Sequence, residues 1–155
     1  MQIIDAHQHF WDPSRGDYSW MPQDNKILNR KYDLKELSKD SRSIDLYKTV
    51  LVQAAATNAE TEYMLNIAEI SDLVSGVVGW VNFEDPNQLK QLKTFAKNPK
   101  FVGVRPMIQD ITDKNWVLNK DFDIFFKTII DLDLSFDALG FPIHLDNFYI
   151  IASKY

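Results

Sequence analysis

The chain has 155 residues, of which 45% are apolar, and its 17 basic and 22 acidic side chains give a net charge of −5. These proportions are typical of a soluble globular protein, and the acidic balance argues against nucleic acid and anionic membrane surfaces as partners. The absence of cysteine excludes disulfides, thiolate metal sites and cysteine nucleophiles. No apolar stretch is long enough for a membrane span, and Asp5, His7 and His9 stand where a signal peptide would be apolar, so we expect a cytoplasmic protein.

Five short segments that are rich in β-branched and apolar residues are predicted to be strands. Because they are apolar on both faces rather than strictly alternating, they favour a parallel sheet that is covered on both sides. In chain order the predicted strands are Ile3–His7, Thr49–Ala55, Val77–Phe83, Phe101–Arg105 and Leu134–Ala138.

Helical patterns fall between these strands. A helix is predicted over residues 33–45, and Thr57 with Glu60 forms the capping-box pattern of a second helix. Asp85 followed by Pro86 is typical of a third helix start, and a fifth helix begins near residue 142 or 144. The fourth helix is indicated by an apolar stripe at helical spacing, which comprises Phe122, Phe125, Phe126, Ile129 and Ile130.

The alternation of strands and helices indicates an α/β fold built from βα units around a parallel sheet. A (β/α)8 barrel of the TIM type uses about 31 residues per unit, so this chain corresponds to about five of the eight units. An incomplete barrel is therefore one interpretation, and an open, doubly wound sheet of five strands is the other. In either case residues 1–155 are expected to form one domain, with a long loop over residues 10–32 after the first strand.

His7 and His9 stand at the end of the first predicted strand. Residues two apart in a strand point to the same face and lie about 6.6 Å apart, so the two imidazoles can converge on one metal ion or one substrate oxygen. Asp5 lies on the same face. Two incidental histidines are the alternative, although the chain has only three. The pair is a candidate catalytic site, and a weak candidate site for a divalent, zinc-like metal.

Arg105 directly follows the fourth predicted strand, at the sheet edge where barrel active sites are built. Its planar guanidinium suits a carboxylate, a carbonyl or a developing oxyanion, which makes Arg105 a candidate for substrate binding. A structural salt bridge to a loop carboxylate such as Asp110 is the alternative.

Four further residues are weaker candidates for substrate binding. Gln53, Trp80 and Asp137 lie at the ends of other predicted strands, where each can bind substrate or simply pack or cap a loop. His144 follows Pro142 in a context typical of a helix start, which gives it a structural alternative. The loop over residues 10–32 is rich in aromatic residues and is predicted to be either a binding loop or a hydrophobic plug at one end of the barrel.

These motifs together resemble the lactonase branch of the amidohydrolase superfamily, which hydrolyses sugar-acid lactones and pyrone dicarboxylates. The resemblance runs the length of the chain and is most specific at its first and fourth strands. It is carried by Ile4-Asp5-Ala6-His7-Gln8-His9-Phe10-Trp11-Asp12-Pro13, by Gly76-Val77-Val78-Gly79-Trp80-Val81, by Gly103-Val104-Arg105-Pro106 and by Phe136-Asp137-Ala138-Leu139.

The resemblance implies a (β/α)8 barrel of which residues 1–155 are the N-terminal five-eighths. It implies that His7 and His9 are the family's first-strand histidine pair and that Arg105 is its substrate-binding arginine. A later-strand histidine and a last-strand aspartate, which the family uses as general base, have no counterpart here. The resemblance also implies that some members work without a metal, so a divalent metal is optional.

The expected function is hydrolysis of a sugar-acid lactone, such as an L-fuconolactone or a rhamnonolactone, by attack of water on the lactone carbonyl. The expected partner is thus a small-molecule lactone. If the chain is truncated, its first and fifth strands are open edges and self-association is expected. A catalytically silent truncated polypeptide and an α/β module that binds a metal or an anion are the alternatives.

Overall fold

The computed structural model describes residues 1–155 and contains one sheet of five parallel strands. The strands are β1 (Ile3–Gln8), β2 (Leu46–Val52), β3 (Val74–Gly79), β4 (Phe101–Val104) and β5 (Ser135–Phe136). Five α-helices follow or precede them, namely α1 (Leu34–Asp40), α2 (Asn58–Glu69), α3 (Gln88–Phe95), α4 (Asp123–Asp131) and α5 (Leu145–Lys154). Short 3-10 turns connect several of these elements.

The order of the strands in the sheet decides between the two predicted folds. Each strand pairs in parallel with the next strand of the chain, in the order β1-β2-β3-β4-β5. A doubly wound sheet reverses its strand order at a switch point, and this sheet contains no reversal. The fold is therefore a curled half-barrel of five βα units, as expected for an incomplete TIM-type barrel.

The observed strands β2 and β3 begin three residues earlier than predicted. The first residues of β2 pair with β1, where Ile3 lies opposite Leu46 and Ile4 opposite Lys48. The sequence pattern missed this part of the ladder because the polar Lys48 and the exposed Tyr47 interrupt its apolar run. Both strands also end three or four residues earlier than predicted, which releases Gln53 and Trp80 into the loops above the sheet.

The predicted starts of α2 and α3 lie close to the observed ones, but some of the side-chain contacts at these starts differ from those predicted. The Thr57 side chain caps α2 by accepting a hydrogen bond from the Glu60 amide, as expected. The Glu60 carboxylate, however, does not return to the cap but turns into the protein interior. Helix α3 begins at Gln88, because the Asp85 side chain accepts from the Asn87 amide in a turn that precedes the helix.

Two other helix predictions were too long. Helix α1 ends at Asp40, and a 3-10 turn over Ser41–Ser43 separates it from β2. In α4 the predicted apolar stripe is buried as far as Ile129, but Ile130 is 52% exposed. The helical spacing places Ile130 at the margin of the packed face, where no other element of the chain covers it.

The core fills the space between the sheet and the helices. Phe83, just beyond β3, stacks on Phe125 of α4 with a ring separation of 4.6 Å and also contacts Phe126. Helix α2 packs so closely on β3 that a Cβ at Gly79 would lie 2.6 Å from Thr61 Cγ2. Thr61 in turn exchanges hydrogen bonds with the backbone of Trp80. None of the helices has the length and apolar character of a membrane-spanning segment.

An apolar cavity beside α4 and α5 is open to its surroundings and is here called the α4–α5 groove. It has a volume of about 310 Å³ and only apolar lining residues. Phe141, Ile143 and Leu145, at the start of α5, are each more than half exposed. The lining comprises Phe126, Ile129, Ile130, Leu134, Phe136, Ala138, Phe148, Ile151, Ala152 and Tyr155.

Candidate active site

His7, in β1, and His9, just after the strand, meet at the carboxyl edge of the sheet. The Nε2 atoms of His7 and His9 are 3.1 Å apart, and the two rings pack edge to face with a centroid separation of 4.8 Å. Their two-residue spacing brings both side chains to one face of the strand, as the sequence pattern indicates.

The tautomer of His9 is set by its neighbour in β2. His9 Nδ1 lies 2.7 Å from the carbonyl oxygen of Val52, and a carbonyl only accepts hydrogen bonds, so the proton of the neutral ring is on Nδ1. The Nε2 atom then presents a free lone pair toward His7. Burial lowers the pKa of His9, and the positive charge of Arg105 acts in the same direction against the hydrogen bond to Val52.

Arg105 lies beneath the histidine pair and is only 4% exposed. Its Nη1 is 2.9 Å from His7 Nε2, and its Nη2 donates to the backbone carbonyl of Gln53. An arginine nitrogen is always a donor, so His7 Nε2 accepts here. Burial lowers the pKa of Arg105, partly opposed by the negative charge of Asp137. The guanidinium thus joins the ends of β1, β2 and β4.

Gln53 and Asp137 are close to this cluster. Gln53 is fully buried, and its Nε2 donates to the backbone carbonyl of Arg105 at 2.8 Å, so the two residues hold each other. Asp137 is half-buried just after β5, where its amide donates to the Val104 carbonyl and its charge acts on both Arg105 and His9. Both residues therefore surround the site.

Trp80 and His144 do not join the cluster. Trp80 lines a neighbouring cavity of about 300 Å³, which shares Met107 and Asp110 with the histidine cavity. His144 is buried at the start of α5, where its Nδ1 accepts from the Phe141 amide. That bond gives His144 the helix-start role that its proline context indicated.

The histidine cavity has a volume of about 380 Å³, and the loop over residues 10–32 forms one of its walls. Trp11 and Trp20 pack edge to face at 5.9 Å in this wall, and Trp20 Nε1 donates to the Ala54 carbonyl at 2.6 Å. The aromatic composition of the loop was the basis for predicting a binding loop or a plug. It did not indicate which of the aromatic residues line the cavity. The lining comprises His7, His9, Trp11, Trp20, Ala54, Arg105, Met107, Gln109, Asp110 and Leu139.

A buried polar cluster, here called the loop anchor, fixes this wall to α2. Glu60 is fully buried and accepts hydrogen bonds from the Ala54 amide at 3.0 Å and from the Tyr18 hydroxyl at 2.8 Å. Arg15 lies 3.3 Å from the same carboxylate and 2.6 Å from Asp17. The anchor therefore ties the loop to the end of β2, two residues from the Val52 carbonyl that orients His9.

The histidine pair has only some of the features of a divalent metal site. Two nitrogens bound to one tetrahedral zinc ion lie about 3.3 Å apart, which is close to the observed separation. However, no set of three or more histidine, aspartate or glutamate side chains is arranged to hold a metal ion. The lone pair of His7 Nε2 also already accepts from Arg105. This arrangement does not fit a divalent metal.

The chain is similar in sequence to lactonases from two Burkholderia species. The chain is 34% identical over 152 residues to an L-fucono-1,5-lactonase of Burkholderia ambifaria, covering 98% of this chain and 52% of that protein. It is 29% identical to an L-fucono-1,5-lactonase of Burkholderia multivorans, covering 98% of this chain and 51% of that protein. The chain thus spans about half the length of the curated relatives it matches.

Solved structures give the same result for the fold. A crystal structure of an amidohydrolase from Burkholderia multivorans with bound zinc superposes with a TM-score of 0.88 at 28% identity, covering 99% of this chain and 54% of that one. A probable 2-pyrone-4,6-dicarboxylic acid hydrolase from Acinetobacter baumannii superposes at 0.73 with 19% identity, covering 100% and 55%, and shares the fold. The amidohydrolase family model matches residues 4–154. The chain therefore belongs to the amidohydrolase family.

Proposed function

We propose that this site takes part in the hydrolysis of a sugar-acid lactone of the L-fuconolactone or rhamnonolactone kind. The observation that carries the proposal is the buried Arg105, hydrogen-bonded to His7 at the base of a cavity walled by tryptophans. The identity to L-fucono-1,5-lactonases supports the choice of reaction.

Attack of water on a lactone carbonyl places negative charge on the carbonyl oxygen. A cation held in a buried site stabilises such charge more strongly than it would in water, because little solvent screens it and it is already in place. Arg105 and the His7 that it holds supply this positive potential. The free lone pair of His9 Nε2 accepts a hydrogen bond from the attacking water and so orients it. The family resemblance assigns proton removal to a last-strand aspartate, which is not among these residues.

The lining of the cavity favours a neutral, hydroxyl-rich substrate over a dicarboxylate. Arg105 is the single lysine or arginine among the lining residues, and the carboxylates of Asp110 and Asp137 lie nearby. A substrate with two carboxylates would meet this negative charge, whereas sugar hydroxyls donate hydrogen bonds to it. The faces of Trp11 and Trp20 offer apolar surface to the C–H groups of the sugar ring.

The experiment that tests the proposal is a chimera. Residues 1–155 are joined to the part of the Burkholderia ambifaria lactonase that this chain does not match, and ring opening of L-fucono- and rhamnonolactones is followed by proton release. We expect turnover by the chimera and at least a 100-fold loss in its His9→Gln variant, because orientation and proton handling by a single histidine contribute about 10²–10⁴-fold.

Residues 1–155 alone are expected to open no lactone, because the aspartate base is absent from them. The parent Burkholderia lactonase serves as the positive control under identical conditions. A chimera that folds, as shown by circular dichroism and gel filtration, but opens neither lactone would contradict the proposed function.

A further inference from the structure

The contacts of the histidine pair bring two ring nitrogens that carry no proton close together. His9 carries its proton on Nδ1, against Val52, so its Nε2 is a bare acceptor. His7 Nε2 accepts from Arg105, so it also carries no proton, and its single lone pair is engaged. The two Nε2 atoms are only 3.1 Å apart with no hydrogen between them. The buried positive charge of Arg105 stabilises this close approach of two electron-rich atoms.

We propose that the Arg105 guanidinium is the resident cation of the histidine pair and that it keeps a divalent metal from binding there. A neutral imidazole nitrogen has one lone pair, and that of His7 Nε2 is engaged by Arg105 Nη1 at 2.9 Å. A metal ion at the pair would have to displace this hydrogen bond. It would also lie beside a buried positive charge that solvent does not screen.

Several contacts oppose a movement of Arg105 out of the site. Its backbone is part of the sheet, since its amide donates to the Gly79 carbonyl at 2.8 Å. Its Nη2 donates to the Gln53 carbonyl, and the Gln53 side chain holds the Arg105 carbonyl in return. The guanidinium is also withdrawn from solvent, since Arg105 is only 4% exposed. The proposal concerns metal binding and does not depend on the lactonase assignment.

The test is zinc binding to the metal-stripped 155-residue chain, measured by calorimetry and by competition with a zinc-sensitive dye. The Arg105→Met variant removes the charge and keeps a side chain of similar length, whereas Arg105→Lys keeps the charge. We expect Arg105→Met to bind one zinc ion on the order of 100-fold more tightly than the natural chain, because a nearby charge repulsion is removed. Arg105→Lys is expected to stay within about threefold of the natural chain, because its charge is retained.

A second change assigns any gained zinc site. Adding His7→Gln to Arg105→Met is expected to return the zinc affinity to that of the natural chain. Equal zinc affinity of the natural chain and Arg105→Met would overturn the proposal. So would a gain in Arg105→Met that survives His7→Gln, because zinc would then be bound elsewhere.

A measurement on the natural chain keeps the proposal testable if Arg105→Met does not fold. The chain has only three histidines, and nitrogen-15 NMR of their rings distinguishes the tautomers. We expect His7 and His9 to carry the proton on Nδ1, and His144, whose Nδ1 accepts from Phe141, to carry it on Nε2 and serve as an internal reference. A protonated Nε2 on His7 in the neutral ring would contradict the role of Arg105.

Discussion

The loop anchor and the α4–α5 groove show opposite solutions to burial in one small chain. In the loop anchor a fully buried carboxylate has donors from Ala54 and Tyr18 and an arginine close by. In the α4–α5 groove ten apolar residues line a cavity that no element of the chain covers. The contacts within the chain stabilise the first region, whereas the second is an apolar surface that the chain leaves uncovered.

This difference indicates which parts of the site are self-sufficient. The anchor fixes the aromatic wall and the end of β2, and hence the orientation of His9, without help from outside the chain. The groove lies beside β5, at the open edge of the half-barrel. Large exposed apolar patches mark interaction surfaces or association hazards in soluble proteins. A closed barrel has no free edge strands, whereas this half-barrel leaves β1 and β5 at its edges. The chain spans about half the length of its curated relatives.

The strongest test of the anchor is removal of its carboxylate. Glu60→Ala leaves the Ala54 amide and the Tyr18 hydroxyl without their acceptor in a buried position, and each such loss is worth about 1–3 kcal/mol. We expect the free energy of unfolding to fall by about 3 kcal/mol in urea titrations. Glu62→Ala, at an exposed position of the same helix, is the matched control and is expected to change stability by less than about 0.5 kcal/mol. Similar values for both variants would show that the anchor does not stabilise the fold.

The groove is tested through self-association. The natural chain is expected to show a mass above its 18.0 kDa in light scattering, increasing with concentration, because the groove and the two edge strands are uncovered. Ile130→Lys places a charge on the groove at a residue that is 52% exposed, so it should reduce association and change stability by less than about 0.5 kcal/mol.

Ile70→Lys is the control for this variant, because Ile70 is 81% exposed but lies at the end of α2, outside the groove. A natural chain that remains monomeric at all concentrations would contradict the expectation of self-association. An equal effect of both lysine variants would place the association surface outside the groove.

The order of elements could be predicted from the sequence because it depends on local patterns. Each of the five strands and five helices has its own apolar run or capping residue, and all were found in the predicted order. Their ends were less predictable. Lys48 pairs in β2 although it is polar, and Ile130 is exposed although it fits the helical spacing, because both depend on neighbours far away in the chain.

The candidate site could be predicted in part for the same reason. The spacing of His7 and His9 fixes a shared face, and the position of Arg105 after β4 fixes its sheet edge, so their meeting follows from parallel topology. The Val52 carbonyl contacts His9, which is 43 residues away in the sequence. The Glu60 carboxylate contacts Tyr18, which is 42 residues away. No local pattern encodes such contacts, and Glu60 matched a capping box that it does not complete.

A smaller effect on the anchor is expected from pH. Burial raises the pKa of Glu60 above its ordinary value of 4.5, against the hydrogen bonds from Ala54 and Tyr18 that lower it. The folded state then binds more protons than the unfolded state between 4.5 and the raised pKa, so stability falls as pH rises through this window. The slope is at most about 1.4 kcal/mol per pH unit for one group.

Glu60→Gln has no such titration. The unfolding free energy of the natural chain should therefore fall relative to that of this variant as the pH rises above 4.5. The measurement is a series of urea titrations from pH 4 to pH 8, about the range where carboxyl and imidazole groups titrate. Glu62→Gln, on the exposed face of the same helix, controls for loss of a surface charge. A difference that rises with pH would show that the donors outweigh burial and that the Glu60 carboxylate is stabilised in its charged form.

The smallest expected effect concerns the contact through which the anchored loop reaches the site. Trp20→Phe keeps an aromatic ring in the wall but removes the hydrogen bond from Nε1 to the Ala54 carbonyl. Because Trp20 is 41% exposed, water replaces part of the lost bond, and we expect a loss of only about 0.5 kcal/mol in global stability. Amide hydrogen exchange over residues 18–21 should nevertheless become faster, since the tip of the loop opens without unfolding the sheet.

Trp80→Phe is the matched control, because Thr61 holds the backbone of Trp80 by hydrogen bonds that survive the change. Unchanged exchange in Trp20→Phe would show that the hydrogen bond from Trp20 to the Ala54 carbonyl is not needed to hold the tip of the loop.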